Sequence, residues 1–393
     1  MSRQESIIKW LGGNSVKPYF YLDWDIANLY PTKQATWYNT LPEKTVWKKV
    51  VKIGYRDVLL CSNYEPLNIY EGTIYEGTIY DSFLQSHLQK CVRRKNAKGA
   101  VYTADLLLEI NPVKLLRRLP IIMIEDTFCH ESFSTLVWLM CSLSIKNNLR
   151  YLYENQKRWI LGVVYLITTF NYKEVIENSD EWIFQNNLSN IHKLNNDIQD
   201  LIYSIEVRKC YGGMKGDIYM FQSYQKNYLE KNICAFWLSI FYKKVKPIYT
   251  KRTEWSQNEW LLEAYDFHCN PYILTKLEQE FQEYDEEEHK NAIWYNSSGI
   301  NVRIYVNINN EVINKKKDFN EYTIIWNKIK KFVQQKAWGY IQQMLEYLKT
   351  IFPGWINYTP YIEITKPTSL NTLIETQSNL SIDNDNKNDN TNQ

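Results

Sequence analysis

Glycine is scarce, 13 in 393 residues, and none stands in the GxxxxGK[ST] spacing that wraps backbone N–H groups around a phosphate. A nucleoside triphosphatase of that type is therefore excluded. Gly212, Gly213 and Gly216 are expected to turn the chain between helices, glycine being the residue that accepts positive φ without penalty. Histidine is scarcer still, with five residues, none in a triad context, and no GxSxG elbow accompanies them. The seven cysteines form no CxxC pair. Cys129 beside His130 and His268 beside Cys269 are adjacent ligands, which rarely reach one tetrahedral ion, so neither a metal nor a cofactor is expected. The HxE and PCxxC pattern of zinc deaminases is missing too.

Long apolar runs are also absent. The longest, Trp159 to Phe170, falls short of the about 20 residues that cross a bilayer, and Met1 to Trp10 carries no signal-peptide core. An odd cysteine count without a leader suggests reduced thiols, so the expected setting is intracellular and soluble. An excess of one charge is lacking as well: 46 Lys plus Arg face 44 Asp plus Glu. That balance excludes both a strongly basic coat for nucleic acid and an acidic, self-repelling chain.

What is abundant is aromatic surface, 15% of the chain, with 31 Tyr and 14 Trp. Such rings bury much area and cover nucleic-acid bases well. An AT-rich genome would give the same excess, and composition does not choose between the two origins.

Hydrophobic periodicity predicts a mainly α protein of the α+β kind, a helical bundle with a small mixed N-terminal region and a short β-hairpin near 302–314. Four regions are expected: 1–80 mixed, 81–210 a helical bundle, 211–370 a second helical region with the hairpin, and 371–393 a disordered polar tail. Strands are expected in Val16 to Trp24 and Val46 to Cys61. The tandem Tyr70 to Ile74 and Tyr75 to Ile79 copies are too few for a repeat architecture. In the bundle, Asp81 is a candidate N-cap, Asn111 and Pro112 open a helix, and Pro120 should end or kink it. Glu125 and Asp126 should cap or salt-bridge at a helix end. Asp285 to Glu288 reads as a solvated acidic run. Val302, Ile304, Val306 and Ile308 alternate with Arg303, Tyr305 and Asn307 as in a half-buried strand. Ile325 to Leu348 has the spacing of one long helix.

Two groups of residues are candidates for function. Arg93, Arg94 and Lys95 end one predicted helix, with Arg117 and Arg118 on another; together they suggest a patch that neutralises phosphates or meets a protein partner. The second group comprises polar and Gly-rich islands: Tyr211, Gly212, Gly213 and Asp217; Asp266 and His268; and Arg303. Converging in one pocket, they would form an undescribed enzyme site. Asp23 and Asp25 before Tyr30 and Pro31 match half of a polymerase metal motif, but its second acidic motif is missing and the match is read as coincidence.

Residues 81–143 contain a helix with basic residues Gln89 to Arg94, a small-residue helix Ala97 to Leu108, the run Arg117, Arg118 and Leu119, and the acidic element Ile124, Glu125 and Asp126. In this the segment resembles the helical C-terminal region of clamp-loader-type AAA+ ATPases of the MgsA and Werner-interacting type. The ATPase motifs themselves are absent, so the resemblance implies a collar-like module contacting nucleic acid or replication proteins, without motor activity. Through Arg208 to Asp217, Asp266 to Cys269 and Ser297 to Arg303, the whole chain resembles uncharacterised proteins of nucleocytoplasmic large DNA viruses. That resemblance implies the host cytoplasm, a viral factory or the nucleus. The expected role is a non-catalytic accessory of viral DNA replication or repair; the alternatives are a structural protein-interaction scaffold and the enzyme just described.

Overall fold

A computed structural model describes residues 19–25, 30–53, 56–68, 80–144, 150–176, 193–230, 233–251, 260–262, 272–313, 321–351 and 361–363. It is mainly helical, with a small amount of sheet. Strands β1 (Tyr19–Asp25), β2 (Tyr30–Tyr38), β3 (Trp47–Ile53) and β4 (Arg56–Ser62) form one sheet in the order β2-β1-β4-β3. β1 runs antiparallel to β2 and parallel to β4, while β3 and β4 are antiparallel. β1, β3 and β4 overlap the stretches Val16 to Trp24 and Val46 to Cys61, where strands are expected. β2 was not anticipated, because Pro31 and the polar run Thr32 to Gln34 obscure it; Pro31 is tolerated at the start of this edge strand.

The pair β5 (Leu67–Asn68) and β6 (Arg150–Tyr151) brackets four helices: α1 (Tyr80–Arg93), α2 (Ala97–Ile110), α3 (Pro112–Asp126) and α4 (Ser132–Leu143). Then come α5 (Glu154–Thr169), β7 (Tyr172–Glu174), α6 (Asn196–Cys210), α7 (Lys215–Glu230), α8 (Ala235–Phe241) and β8 (Tyr249–Lys251). The rest is α9 (Tyr272–Glu280), α10 (Glu286–Ile293) with a π-helical extension Trp294–Ser298, β9 (Ile304–Val306), α11 (Tyr322–Ile351) and β10 (Tyr361–Glu363), which pairs with β8.

Every residue of α4 is buried, and that helix ties sheet to bundle. Trp138 Nε1 donates to the Phe20 carbonyl at 2.9 Å, and Ala35 N–H donates to Thr135 Oγ1 at 2.9 Å. From α6, Asp200 Oδ1 accepts from Trp37 N–H at 3.2 Å. One hydrophobic cluster consequently runs from Phe20 through the bundle to Leu348 on α11, across the positions 80 and 210 where region boundaries were drawn.

Several local expectations change. Asn111 does cap α3, accepting from Lys114 N–H at 3.1 Å, with Pro112 in the first turn. Pro120, however, lies inside that helix. Leu119, Ile121, Ile122 and Ile124 around it are all buried, and this packing outweighs one missing backbone hydrogen bond. Asp81 sits within the first turn of α1 and pairs with Lys114 Nζ at 3.0 Å. The acidic run Asp285 to Glu288 is largely exposed, as expected, and it also opens α10 through a capping box between Asp285 and Glu288.

The hairpin near 302–314 is reduced to β9 and one antiparallel bridge, Val306 to Val312, around a turn with Asn310 at φ 64°. β9 pairs instead in parallel with β7. Its burial is partly the reverse of the expected alternation: Val302 and Ile304 are exposed and Arg303 is buried. The reason is a demand for donors. Arg303 Nη1 donates to Val92 O at 2.6 Å, and Nη2 donates to Ile167 O and Thr168 O at 2.8 Å each, so one guanidinium closes the carbonyl ends of α1 and α5. The repeats at 70–79, the tail at 371–393, Asp266, His268 and Cys269 lie outside the described residues.

Glu174, at the end of β7, is buried, and its Oε2 accepts from Tyr228 OH at 3.0 Å. Burial pushes its carboxyl up to about 7, against the opposing hydrogen bonds of Tyr228, Cys129 and Tyr224. A carboxyl whose folded value exceeds its unfolded one favours folding in acid and loses that advantage as pH rises from about 4.5 to about 7. We expect Glu174→Gln to remove this slope. Relative to the variant, wild type should lose about 3 kcal/mol over that window in urea melts. Equal pH slopes for the two chains would show that Glu174 ionises freely when folded.

Candidate functional site

The basic end of α1 faces inward. Arg93 Nε meets Asp126 Oδ1 at 2.5 Å and Nη2 meets Glu125 Oε1 at 2.7 Å, while Nη1 donates to the Ser298 carbonyl. Arg94 Nη2 donates to Asn296 O and Ser297 O at 3.2 Å each, so both arginines serve the carbonyl end of the π-helical segment. Lys95, held at φ 57°, donates to Asn171 Oδ1. Gln89 Nε2 bridges Glu125 and Asp126 at 2.8 Å each, and its oxygen accepts from Arg118. Four of the five basic candidates thus have polar partners inside the protein.

Arg117 is different. Its side chain is exposed on α3, its guanidinium carbon lies 4.7 Å from the centre of the Tyr211 ring, and among the described residues no carboxylate pairs with it. The turn that presents Tyr211 depends on glycine, because Gly212 (φ 92°) and Gly213 (φ 156°) occupy backbone that side chains disfavour. Asp217 closes this turn, its Oδ2 accepting from Met214 N–H at 3.2 Å. Buried Arg208 fastens it to α3, donating to Arg117 O at 3.1 and 2.7 Å and to Gly212 O at 2.8 Å. Beyond the turn, Lys215 Nζ lies 5.5 Å from the centre of the Tyr219 ring, and Met214 and Tyr219 are exposed.

The electrostatics of this ridge are positive. Burial, then the neighbouring charge of Arg117, pulls the Arg208 guanidinium down to about 10; Asp217 and Tyr211 oppose this and Arg118 adds to it. Crowded like charges of this kind favour a polyanion that relieves them.

Of the sequence candidates, the structure brings Tyr211, Gly212, Gly213 and Asp217 together with Arg117. Arg303 lies elsewhere: its charge neighbours are Asp126, at the other end of α3, and Tyr305. Nine residues of helix, roughly 13 Å, separate Arg117 from Asp126. Arg208, Lys215 and Tyr219 were missed as members of the ridge. The signal available was their closeness in sequence to a double glycine, but their relation to α3 is a tertiary fact.

Among the described residues no group of three ligating side chains is placed to hold a metal ion, and no helix is long and apolar enough to cross a membrane. No protein family, curated protein or solved structure matches the chain.

Proposed function

We propose that the chain is a non-catalytic accessory protein of viral DNA replication or repair, a collar-like helical module that grips single-stranded nucleic acid along Arg117, Tyr211, Lys215 and Tyr219. The observation that carries this reading is Arg117, an exposed guanidinium stacked on a tyrosine ring, without a carboxylate partner among the described residues and backed by Arg118 and Arg208. Cations bind the phosphates, and rings cover unstacked bases without regard to sequence. The setting in viral DNA metabolism comes from the resemblances noted above and belongs to the same proposal.

Fluorescence anisotropy with an oligothymidine across a salt series tests it. Affinity should fall as salt rises, and Arg117→Ala should reduce the log–log slope by about 0.7, the contribution of one phosphate on a single strand. Tyr219→Ala should weaken binding by roughly 1–3 kcal/mol with little change in slope. Absence of salt-sensitive binding by the wild-type chain would overturn the reading.

A protein-interaction scaffold is the second reading. It is favoured by a set of exposed apolar side chains, Ile300, Val302, Ile304 and Val312, around the β9 turn. Here Val302→Asp should abolish association with a protein partner and leave oligonucleotide binding intact.

A further inference from the structure

A hollow opens on the side of the molecule where β2 begins and two helix N-termini meet. It is a cleft of 370 Å³, lined among others by Tyr30, Lys33, Glu131, Trp159, Asp197 and Lys244. Five separate pieces of backbone place these six side chains. β2 carries Tyr30 and Lys33, Glu131 directly precedes α4, Asp197 stands in the first turn of α6, Trp159 comes from α5, and the segment after α8 brings Lys244. Tyr242, also in the lining, donates to Asp197 Oδ2 at 2.7 Å. Lys244 Nζ lies 4.4 Å from the centre of the Tyr30 ring.

The charged groups in this cleft are complementary, and the two carboxylates have neutral partners in the lining, Tyr242 on Asp197 and Gln34 on Glu131. Two carboxylates and two ammonium groups share it, and among the described residues none of the four closes an ion pair. Burial and then the nearby Asp197 push the Glu131 carboxyl up to about 7, against the pull of Gln34 and Lys33. Two acidic groups crowded in this way gain from a cation between them. The two lysines offer the matching place for an anion, and half-buried Tyr30, with the buried Trp159 beneath, gives the cleft an apolar wall. The volume lies within the range of small-molecule pockets.

We propose that this cleft binds a zwitterionic molecule of the free α-amino acid class. Its ammonium group sits against Glu131 and Asp197, its carboxylate against Lys33 and Lys244, and its side chain along the wall of Tyr30 and Trp159. A neutral sugar would leave the crowded carboxyls unrelieved, and a phosphate ester would meet their repulsion. The site is separate from the ridge of Arg117 and Tyr211 and does not depend on nucleic-acid binding.

The test uses the full chain. Free L-amino acids are screened by thermal shift, and the strongest binder is measured by isothermal titration calorimetry beside its deaminated acid and its decarboxylated amine. The expected result is binding of at least one amino acid, with each truncated analogue about tenfold weaker or worse. Asp197→Asn should weaken the amino acid by a similar factor while leaving the deaminated acid unchanged, and Lys244→Met should weaken it while leaving the amine unchanged. Three results would overturn the proposal: no amino acid in the panel binds, the deaminated acid binds as tightly as its parent, or Asp197→Asn binds like wild type. Because both substituted residues line an open cleft, circular dichroism of the variants should match the parent.

Discussion

Gly162→Ala is expected to destabilise the protein by about 3 kcal/mol, although alanine is the better helix former. Gly162 lies in the middle of α5, where the segment joining α8 to β8 crosses the helix. A Cβ at this position would stand 2.0 Å from the carbonyl oxygen of Lys246, 2.8 Å from its carbonyl carbon and 3.0 Å from Val245 Cγ1. The nearest obstacle is backbone, which cannot rotate away as a side-chain tip does. The segment is also fixed on both sides: Ile248 N–H donates to Arg158 O at 3.0 Å, and the Lys243 carbonyl accepts from His130 Nε2 at 2.9 Å. Accommodating the methyl therefore separates two elements of one core.

Gly339→Ala on α11 is the matching control, since among the described residues nothing outside the helix backbone and chain neighbours lies within 4 Å of the Cβ it would add. There the ordinary helix preference should prevail, with a gain of roughly 0.5–1 kcal/mol. Urea melts of the two variants should move in opposite directions. Should Gly162→Ala also gain stability, the close crossing at Lys246 is wrong. A second consequence follows for the cleft, because Tyr242 and Lys244 belong to the displaced segment: amino acid binding should weaken with stability in Gly162→Ala and stay unchanged in Gly339→Ala.

The helices were legible wherever one face is apolar and the caps are local. Asn111 before Pro112 marks the start of α3, and the spacing from Ile325 to Leu348 marks α11, because both signals lie within a few residues of what they specify. Pro120 and the β9 alternation misled for a shared reason: the burial of neighbouring residues, decided by distant partners, overrode a local rule. Arg303 shows this most plainly. In sequence it occupies the polar position of an alternating strand, yet its guanidinium is drawn under two helix ends by carbonyls more than 130 positions away. The ridge was half legible, since Arg117 and the double glycine could each be named, but only Arg208 joins them. The cleft was not legible at all. Glu131, Asp197 and Lys244 are ordinary surface residue types in sequence, and their convergence arises from the packing of three separate pieces of the chain.

The same inward turn makes Asp126→Ala costly, by about 3–5 kcal/mol. Burial pulls the Arg93 guanidinium down, but Asp126 and Glu125 more than offset that and hold it above its ordinary value. Asp126 is itself almost inaccessible, at 1% exposure, and besides Arg93 it accepts from Gln89 Nε2. Removing this carboxylate leaves a desolvated cation beside the more exposed Glu125 alone and strips Gln89 of one acceptor. The loss should persist at high salt, since mobile ions screen buried pairs weakly. Replacing both partners, Arg93→Met with Asp126→Leu, should recover much of the stability, because apolar groups need no compensation there. This double variant also bears on function. Arg93 stood in the basic patch expected from the sequence, yet its geometry is that of a structural cation. The refolded double variant should therefore bind oligothymidine with wild-type affinity and salt slope, whereas Arg117→Ala does not. Loss of binding in the double variant with stability restored would return Arg93 to the interface and move the gripping surface from the Tyr211 turn to the end of α1.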